Sequence, residues 1–223
     1  AYIKKIGIER LHMEEDAGKL VHSGSDRLDG SKYSLVDYNR AGIALCEIVS
    51  KPDIRTGREA SEYASEIRRT VRYLGVSDGN MQEGSLRCDV NISVRKGPNA
   101  PFGTKVEIKN MNSFSAIQKA CDYEIARQIE VYENGGEIFQ ETRLWDEAKQ
   151  LTKSMRLKEG SSDYRYFPDP DLGPIEITKA QKEIWFNELP ELPSKKRNKY
   201  VSEFGLSAYD ARVISDEINM ANF

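Results

Sequence analysis

Three acids in a row, Glu14, Glu15 and Asp16, follow His12 and Met13 in the stretch "RLHMEEDAGK". Adjacent carboxylates repel. Such a run either lies in a solvated loop or turns its oxygens toward a cation that offsets the repulsion. Glu47 is a second acidic signal, because in "IALCEIVS" its neighbours Leu45, Cys46, Ile48 and Val49 are apolar. A carboxylate buried there without a partner is strongly unfavourable. Glu47 is therefore salt-bridged, or on an edge strand with a wet face, or a metal ligand or catalytic acid; the pattern alone leaves these open. A third group comprises Glu83, Arg87 and Asp89 in "MQEGSLRCDV" and Lys105, Glu107 and Lys109 in "GTKVEIKN". Strand alternation places Arg87 and Asp89 on one polar face and Lys105, Glu107 and Lys109 on the next. Carboxylates mixed with cations suit Mg²⁺ and a polyphosphate. The metal takes carboxylate and phosphate oxygens, and Lys and Arg offset the charge that develops in phosphoryl transfer. A salt-bridged outer sheet face produces the same pattern in any highly charged protein.

Other chemistries have less support. The chain has no Walker-type loop, G-x-G-x-x-G or G-x-S-x-G, so a nucleotide would have to bind on an open sheet. His12 and His22 are the two histidines; the first is expected on a strand surface and the second in a loop. Cys46, Cys88 and Cys121 are odd in number and widely spaced, which fits neither a disulfide framework nor a zinc site. All three are expected to be small core side chains in a reducing setting.

The elements that must carry these residues follow from periodicity. Ile3, Ile6 and Ile8 predict a strand over 3–13, then a Gly/Ser/Asp-rich loop over 17–31. "KYSLVDYN" and "IALCEIVS" read as strands separated by the turn signal Arg40-Ala41-Gly42. Thr56 and Glu59 form a candidate capping box. The helix behind them has the stripe Ala60, Tyr63, Ala64, Ile67, Val71 and Leu74. Its other face carries Arg58, Arg68, Arg69 and Arg72, a face that is more often solvated than bound to RNA. "SLRCDVNISVR" and "FGTKVEIKN" predict an antiparallel pair with one apolar and one charged face. A second helix is predicted from a Ser113 N-cap to Glu133, with the stripe Ile117, Cys121, Ile125, Ile129 and Tyr132, and Gly135-Gly136 ends it. A hairpin, "EIFQETRLW" and "QLTKSMRL", turns near Asp146 to Lys149. "SSDYRYFPDPDLGP" holds too many prolines for a regular element, and short helices split by "ELPELP" follow from about residue 178.

The whole composition sets limits. The 223 residues are 39% hydrophobic and 31% charged with a net charge of −3, as in a globular protein with a core and a very polar surface. No apolar run approaches the roughly 18 residues of a membrane helix, and "AYIKKIGIER" lacks the apolar region of a signal peptide. A protein that binds RNA by itself usually has a basic excess, so any nucleic-acid contact is local or shared.

Taken together, "LHMEEDAGK", "LVDYNRAG", "EIVSKPDIR", "MQEGSLRCDVNIS", "GTKVEIKNMNS", "NGGEIFQETRLWDE" and "SSDYRYFPDPDL" resemble the B subunits of the aspartyl/glutamyl-tRNA amidotransferases along essentially the whole chain. The resemblance implies an α+β fold. A mostly antiparallel sheet with packed helices forms a cradle domain, similar to the sheets of glutamine synthetase and the guanidino kinases, over residues 1–177. The start of a helical domain follows over 178–223. It implies a cytoplasmic (or organellar) heterotrimer with a glutaminase subunit and a small bridging subunit, and no membrane contact. Mischarged Glu-tRNA(Gln) or Asp-tRNA(Asn) would be the substrate and ATP and Mg²⁺ the cofactors. The side-chain carboxylate would be phosphorylated and then amidated by ammonia from glutamine. Glu15 and Glu47 match the segments that supply the family's metal ligands, with Glu14 and Asp16 supporting or solvated. Glu15, Glu47, Glu83 and Arg87 are thus the candidate catalytic residues, and Asp89, Lys105, Glu107 and Lys109 the candidate nucleotide or carboxylate contacts. The family's first strand, with another acid and a histidine, the zinc-binding cysteine insert of some members and the tail domain have no counterpart here. The chain is therefore expected to be cut at both ends and inactive by itself. Two other readings remain: a non-catalytic RNA-binding scaffold using the arginine face and "KNMNSFSAIQK", and a different ATP-dependent carboxylate ligase.

Overall fold

The computed structural model describes residues 2–17, 19–22, 33–157, 170–171 and 173–223. The chain divides into two compact units, 1–54 and 55–223. The first holds two antiparallel pairs. β1 (Ile8–Glu15) pairs with β4 (Ala44–Ser50), and β2 (Lys19–His22) with β3 (Ser34–Asp37). The first strand begins later than periodicity predicts. Its partner ends at Ser50 opposite Ile8, a last bond runs from Lys51 N–H to Gly7 C=O (2.7 Å), and Pro52 can donate nothing further. Part of the expected loop over 17–31 is strand β2, and His22 lies on it; residues 18 and 23–32 lie outside the described residues. The turn over 40–42 forms as predicted, with Gly42 at φ +81°, a left-handed conformation that glycine adopts without a Cβ clash. β1 is exposed along its whole length.

The second unit is built on two helices and a sheet. α1 (Gly57–Tyr73) starts at Thr56, whose hydroxyl accepts from Glu59 N–H (3.2 Å). Half of the predicted capping box is as expected, while the Glu59 carboxylate accepts from Arg55 N–H one residue further back (2.7 Å). α1 packs on α2 (Phe114–Glu133) so closely that a Cβ on Gly57 would lie 2.3 Å from Gln118 O. The Gly57 N–H instead donates to Asp122 Oδ1 at 3.0 Å. α2 is capped by Ser113, whose Oγ accepts from Ala116 N–H (3.0 Å), and Gly135 leaves the helix at φ +76°. The predicted stripe is correct at its start and wrong at its end. Ile117 and Cys121 are buried, but Ile129 and Tyr132 are exposed, and the buried line continues through Glu124 and Gln128. Two polar residues thus occupy the inward face that periodicity assigned to apolar ones, so the hydrophobic pattern could not report them.

The sheet runs β5 (Val90–Ile92), β6 (Val106–Lys109), β7 (Glu141–Asp146) and β8 (Leu151–Leu157). Its pairs are antiparallel, parallel and antiparallel in turn, so it is mixed, with α2 crossing over between β6 and β7. Val106, Ile108, Ile117, Ala116 and Ala120 form its fully buried centre. Beneath β7 and β8 the core is ionic. The Glu124 carboxylate, wholly buried, accepts from Arg127 (2.9 and 2.6 Å), Gln128 (3.0 Å) and Thr152 (3.1 Å). Arg143 joins Thr152 (2.8 Å) to Glu141 (2.7 Å), and Ser154 closes on Glu141. Gln128 reaches β5, donating to Ile92 C=O and accepting from Val94 N–H, both at 3.2 Å. Every polar group of this cluster is bonded, which is what permits charge at that depth. The β7–β8 hairpin turns where predicted, with Lys149 N–H on Asp146 Oδ1 at 3.0 Å.

Four helices close the chain: α3 (Lys179–Glu188), α4 (Pro193–Ser202), α5 (Ala208–Ile214) and α6 (Ile218–Asn222). Thr178 and Gln181 form a full capping box at α3, and Pro193 opens α4. No residue of α3 is buried. The "SSDYRYFPDPDLGP" segment lies mostly outside the described residues. The arginine face of α1, expected to be solvated, is in part covered. Arg69 pairs with Asp216 (2.7 Å), Arg72 with Glu217 (2.7 Å), and Glu66 with Arg197 of α4 (2.7 Å).

Candidate functional site

The acids of the first unit sit on the β1–β4 ribbon. Cross-strand register sets His12 opposite Glu47 and Glu15 opposite Ala44. Since cross-strand partners share a face and neighbours alternate, Arg10, His12, Glu14 and Glu47 face one way, and Leu11, Met13, Glu15 and Cys46 the other. Glu15 and Glu47 therefore point to opposite sides of the ribbon. Glu47 is exposed and ion-paired with Arg10 (3.1 Å), which is the salt-bridged, wet-faced alternative. Its apolar neighbours misled because a two-stranded ribbon buries neither face. Asp16 is the most enclosed of the three acids, with Arg40 Nε at 3.2 Å and its backbone N–H on Ile43 C=O at 2.7 Å. Cys46, expected in the core, is exposed and lies 3.3 Å from the Met13 sulfur.

These residues do not make a cage for one Mg²⁺. Its ligands must converge from one side, and Glu15 and Glu47 diverge. Among the described residues, no three His, Cys, Asp or Glu side chains come together in a metal-holding group.

The candidates of the second unit are brought together more closely. The β5–β6 register pairs Asn91 with Glu107 and Val90 with Ile108, which leaves Asp89 beside Lys109. The Lys109 ammonium holds Asp89 directly and lies 3.7 Å from Glu107. Burial opposes its charge, but the Asp89 hydrogen bond and the charges of Asp89 and Glu107 outweigh that and hold Lys109 above the usual lysine range. Glu107 is fixed in turn by Thr142 of β7, whose hydroxyl donates to Oε2 at 2.8 Å. Lys105 is exposed immediately before β6. Glu83 and Arg87 lie outside any strand. The expected strand over 85–95 shrinks to Val90–Ile92, because residues 80–86 wind into turns. Asn80 C=O accepts from Ser85 N–H (2.9 Å), its side chain from Gln82 N–H (3.0 Å), and Gly84 has φ +78°. Behind this face burial pushes the Cys88 thiol up to about 11 and the Cys121 thiol to about 12. Both stay protonated at neutral pH, as core residues do.

A charge-fixed ammonium on a sheet face, flanked by carboxylates, can hold a phosphoryl group. Thr142 was missed in the sequence. The only signal was its place on β7 opposite Glu107, and that depends on a parallel pairing no local pattern announces.

Residues 1–183 match the family model described as the GatB/GatE catalytic domain. The chain belongs to that family. It is 98% identical over 222 residues to the B subunit of the aspartyl/glutamyl-tRNA(Asn/Gln) amidotransferase of Prochlorococcus marinus (strain MIT 9312), covering 100% of this chain and 45% of the relative. Against the protein of the same name in Parasynechococcus marenigrum (strain WH8102) the identity is 79%, again with 100% of this chain and 45% of the relative. The chain thus spans about half the length of the curated relatives it matches. Among the described residues, no helix is long and apolar enough to cross a membrane.

Proposed function

We propose that this chain carries the carboxylate-activating part of a cytoplasmic, tRNA-dependent amidotransferase. Its substrate is Glu-tRNA(Gln) or Asp-tRNA(Asn), it uses ATP, and a glutaminase subunit and a small bridging subunit supply ammonia. A side-chain carboxylate oxygen of the mischarged amino acid attacks the γ-phosphorus, and the bond to ADP breaks. Ammonia then attacks the acyl carbon, phosphate leaves with the bonding pair, and the nitrogen sheds a proton. A carboxylate alone is a poor acylating agent, and the phosphate makes it a good one. The observation that carries this reading is the near-identity of the entire chain to B subunits of that name.

In this reading the Asp89–Lys109–Glu107 face holds the transferred phosphoryl group, with Lys109 against its oxygens and Thr142 keeping Glu107 in place. Arg87, Lys105 and Glu83 flank that face in sequence. Mg²⁺ accompanies ATP in the proposed reaction, but no step is assigned to it, because Glu15 and Glu47 do not converge. The test is glutamine- and ATP-dependent amidation of Glu-tRNA(Gln) and Asp-tRNA(Asn) by the full-length protein with its partner subunits. Formation of Gln-tRNA or Asn-tRNA is the expected result. Failure to bind either mischarged tRNA would overturn the substrate assignment.

A further inference from the structure

A cleft of about 300 Å³ opens along α1 and is lined by Ser61, Glu62, Ser65, Arg68, Arg69, Arg72, Phe114, Arg212 and Asp216. On α1, positions 61, 65, 68 and 72 share one face, so two hydroxyls and two guanidinium groups are stacked along it. The cleft is lined by four guanidinium groups and by the carboxylates of Glu62 and Asp216, and Glu66 and Glu217 reach Arg69 (3.3 Å) and Arg72 (2.7 Å), in a chain whose net charge is −3. Three of the arginines are held in place by acids. Arg69 binds Asp216 (2.7 Å), Arg72 binds Glu217 (2.7 Å), and Arg212 binds Glu62 (3.1 Å). Each arginine offers five N–H donors, so these pairs orient the groups and leave donors over. Arg68 differs. Its guanidinium lies 5.9 Å above the Phe114 ring, its stem rests on Gly79, and among the described residues its buried Nε meets no hydrogen-bond acceptor. A buried donor without an acceptor is costly unless a ligand or water completes it.

We propose that this cleft is a phosphate-binding site and that its ligand is a backbone phosphodiester of RNA. Planar guanidinium forks and serine hydroxyls match phosphate oxygens bidentately. The cleft is a separate place on the second unit from the Asp89–Lys109 face. It would let a protein of negative net charge hold a phosphodiester through the arginine donors that the acids leave over and through Arg68. The phosphate chemistry stands on the cleft alone; the choice of RNA rests on the proposed function.

Two variants of the full-length protein test this: Arg68→Gln, which removes the guanidinium whose Nε lacks an acceptor among the described residues, and Ser65→Glu, which places a carboxylate in the cleft. Thermal unfolding with inorganic phosphate and tRNA binding over a salt series are measured on both and on the unaltered protein. The expected results are a phosphate-dependent rise in unfolding temperature that the variants lose, tRNA binding weakened severalfold, and a log–log salt slope reduced by about 0.9 for each phosphate no longer neutralised. A stabilisation by phosphate that the variants lose while the tRNA salt slope stays unchanged would mean a free-phosphate site and would overturn the RNA assignment. Loss of partner-subunit association in place of tRNA binding would overturn it in favour of a protein contact. Unchanged phosphate response and unchanged tRNA binding in both variants would overturn the site itself. If the variants lose salt-dependent tRNA binding and the unaltered protein shows no amidation, the cleft stands and the proposed reaction falls.

Discussion

Lys109 is the side chain on which the proposed chemistry turns, and its surroundings explain why it stays charged on a half-buried sheet face. Asp89 and Glu107 flank it, and the Thr142 hydroxyl fixes Glu107 from the next strand. Thr142→Val keeps the shape and removes that bond. Because Thr142 is 1% exposed, the change should cost about 1 kcal/mol of stability and lower amidation without abolishing it, as read by urea unfolding and initial rates. Glu124 is the opposite case, a wholly buried acid bonded to Arg127, Gln128 and Thr152. Glu124→Ala would strand Arg127 and Arg143 near the core and should destabilise by roughly 3–5 kcal/mol, measured by chemical unfolding. Glu141 adds a pH dependence. Burial works against its carboxylate, but Ser154, Arg143 and Arg127 outweigh it and hold the group below the usual range. A depressed carboxylate stabilises fully above its unfolded pKa of about 4.3 and loses that contribution as pH falls through the lower folded value. Unfolding midpoints should therefore drop steeply below about pH 4, and Glu141→Gln should flatten that fall.

At the scale of elements, the helices were legible because their signals are local. Thr56 and Ser113 cap α1 and α2 as their residue types predict, and the glycine after α2 ends it. Thr56→Ala should cost about 1 kcal/mol. Gly57→Ala should cost more, because its Cβ would meet the Gln118 carbonyl and force the helices apart; thermal unfolding of the pair of variants gives the order. The strands were legible in parity but not in length or partner. The charged face of Asp89, Glu107 and Lys109 was correctly grouped by alternation. Arg87 was assigned to that strand because nothing in "SLRCDV" announces that the turns of Asn80 and Gly84 delay it. The acidic ribbon shows a related limit of local pattern. Glu15 and Glu47 were paired by their chemical type, whereas the register of β1 and β4 decides which face each takes.

For the whole molecule, the acids that first drew attention belong to the unit 1–54 and the face of the proposed phosphoryl chemistry to the unit 55–223. The seven motifs that carried the family resemblance lie on both units, and the family match covers residues 1–183. Family was therefore legible from motif order, while the roles of single acids depended on register and pairing that motifs do not encode. In the proposed reaction this chain activates a carboxylate as an acyl phosphate on the Lys109 face. Hydroxylamine trapping tests it directly: the full-length protein, with ATP and Glu-tRNA(Gln) and no ammonia source, should yield the γ-hydroxamate of glutamate. Lys109→Ala should lower that yield by at least about 100-fold, on the order of 3 kcal/mol of transition-state stabilisation, assayed below the variant's own unfolding temperature. Hydroxamate formed by Lys109→Ala at the unaltered rate would contradict the account.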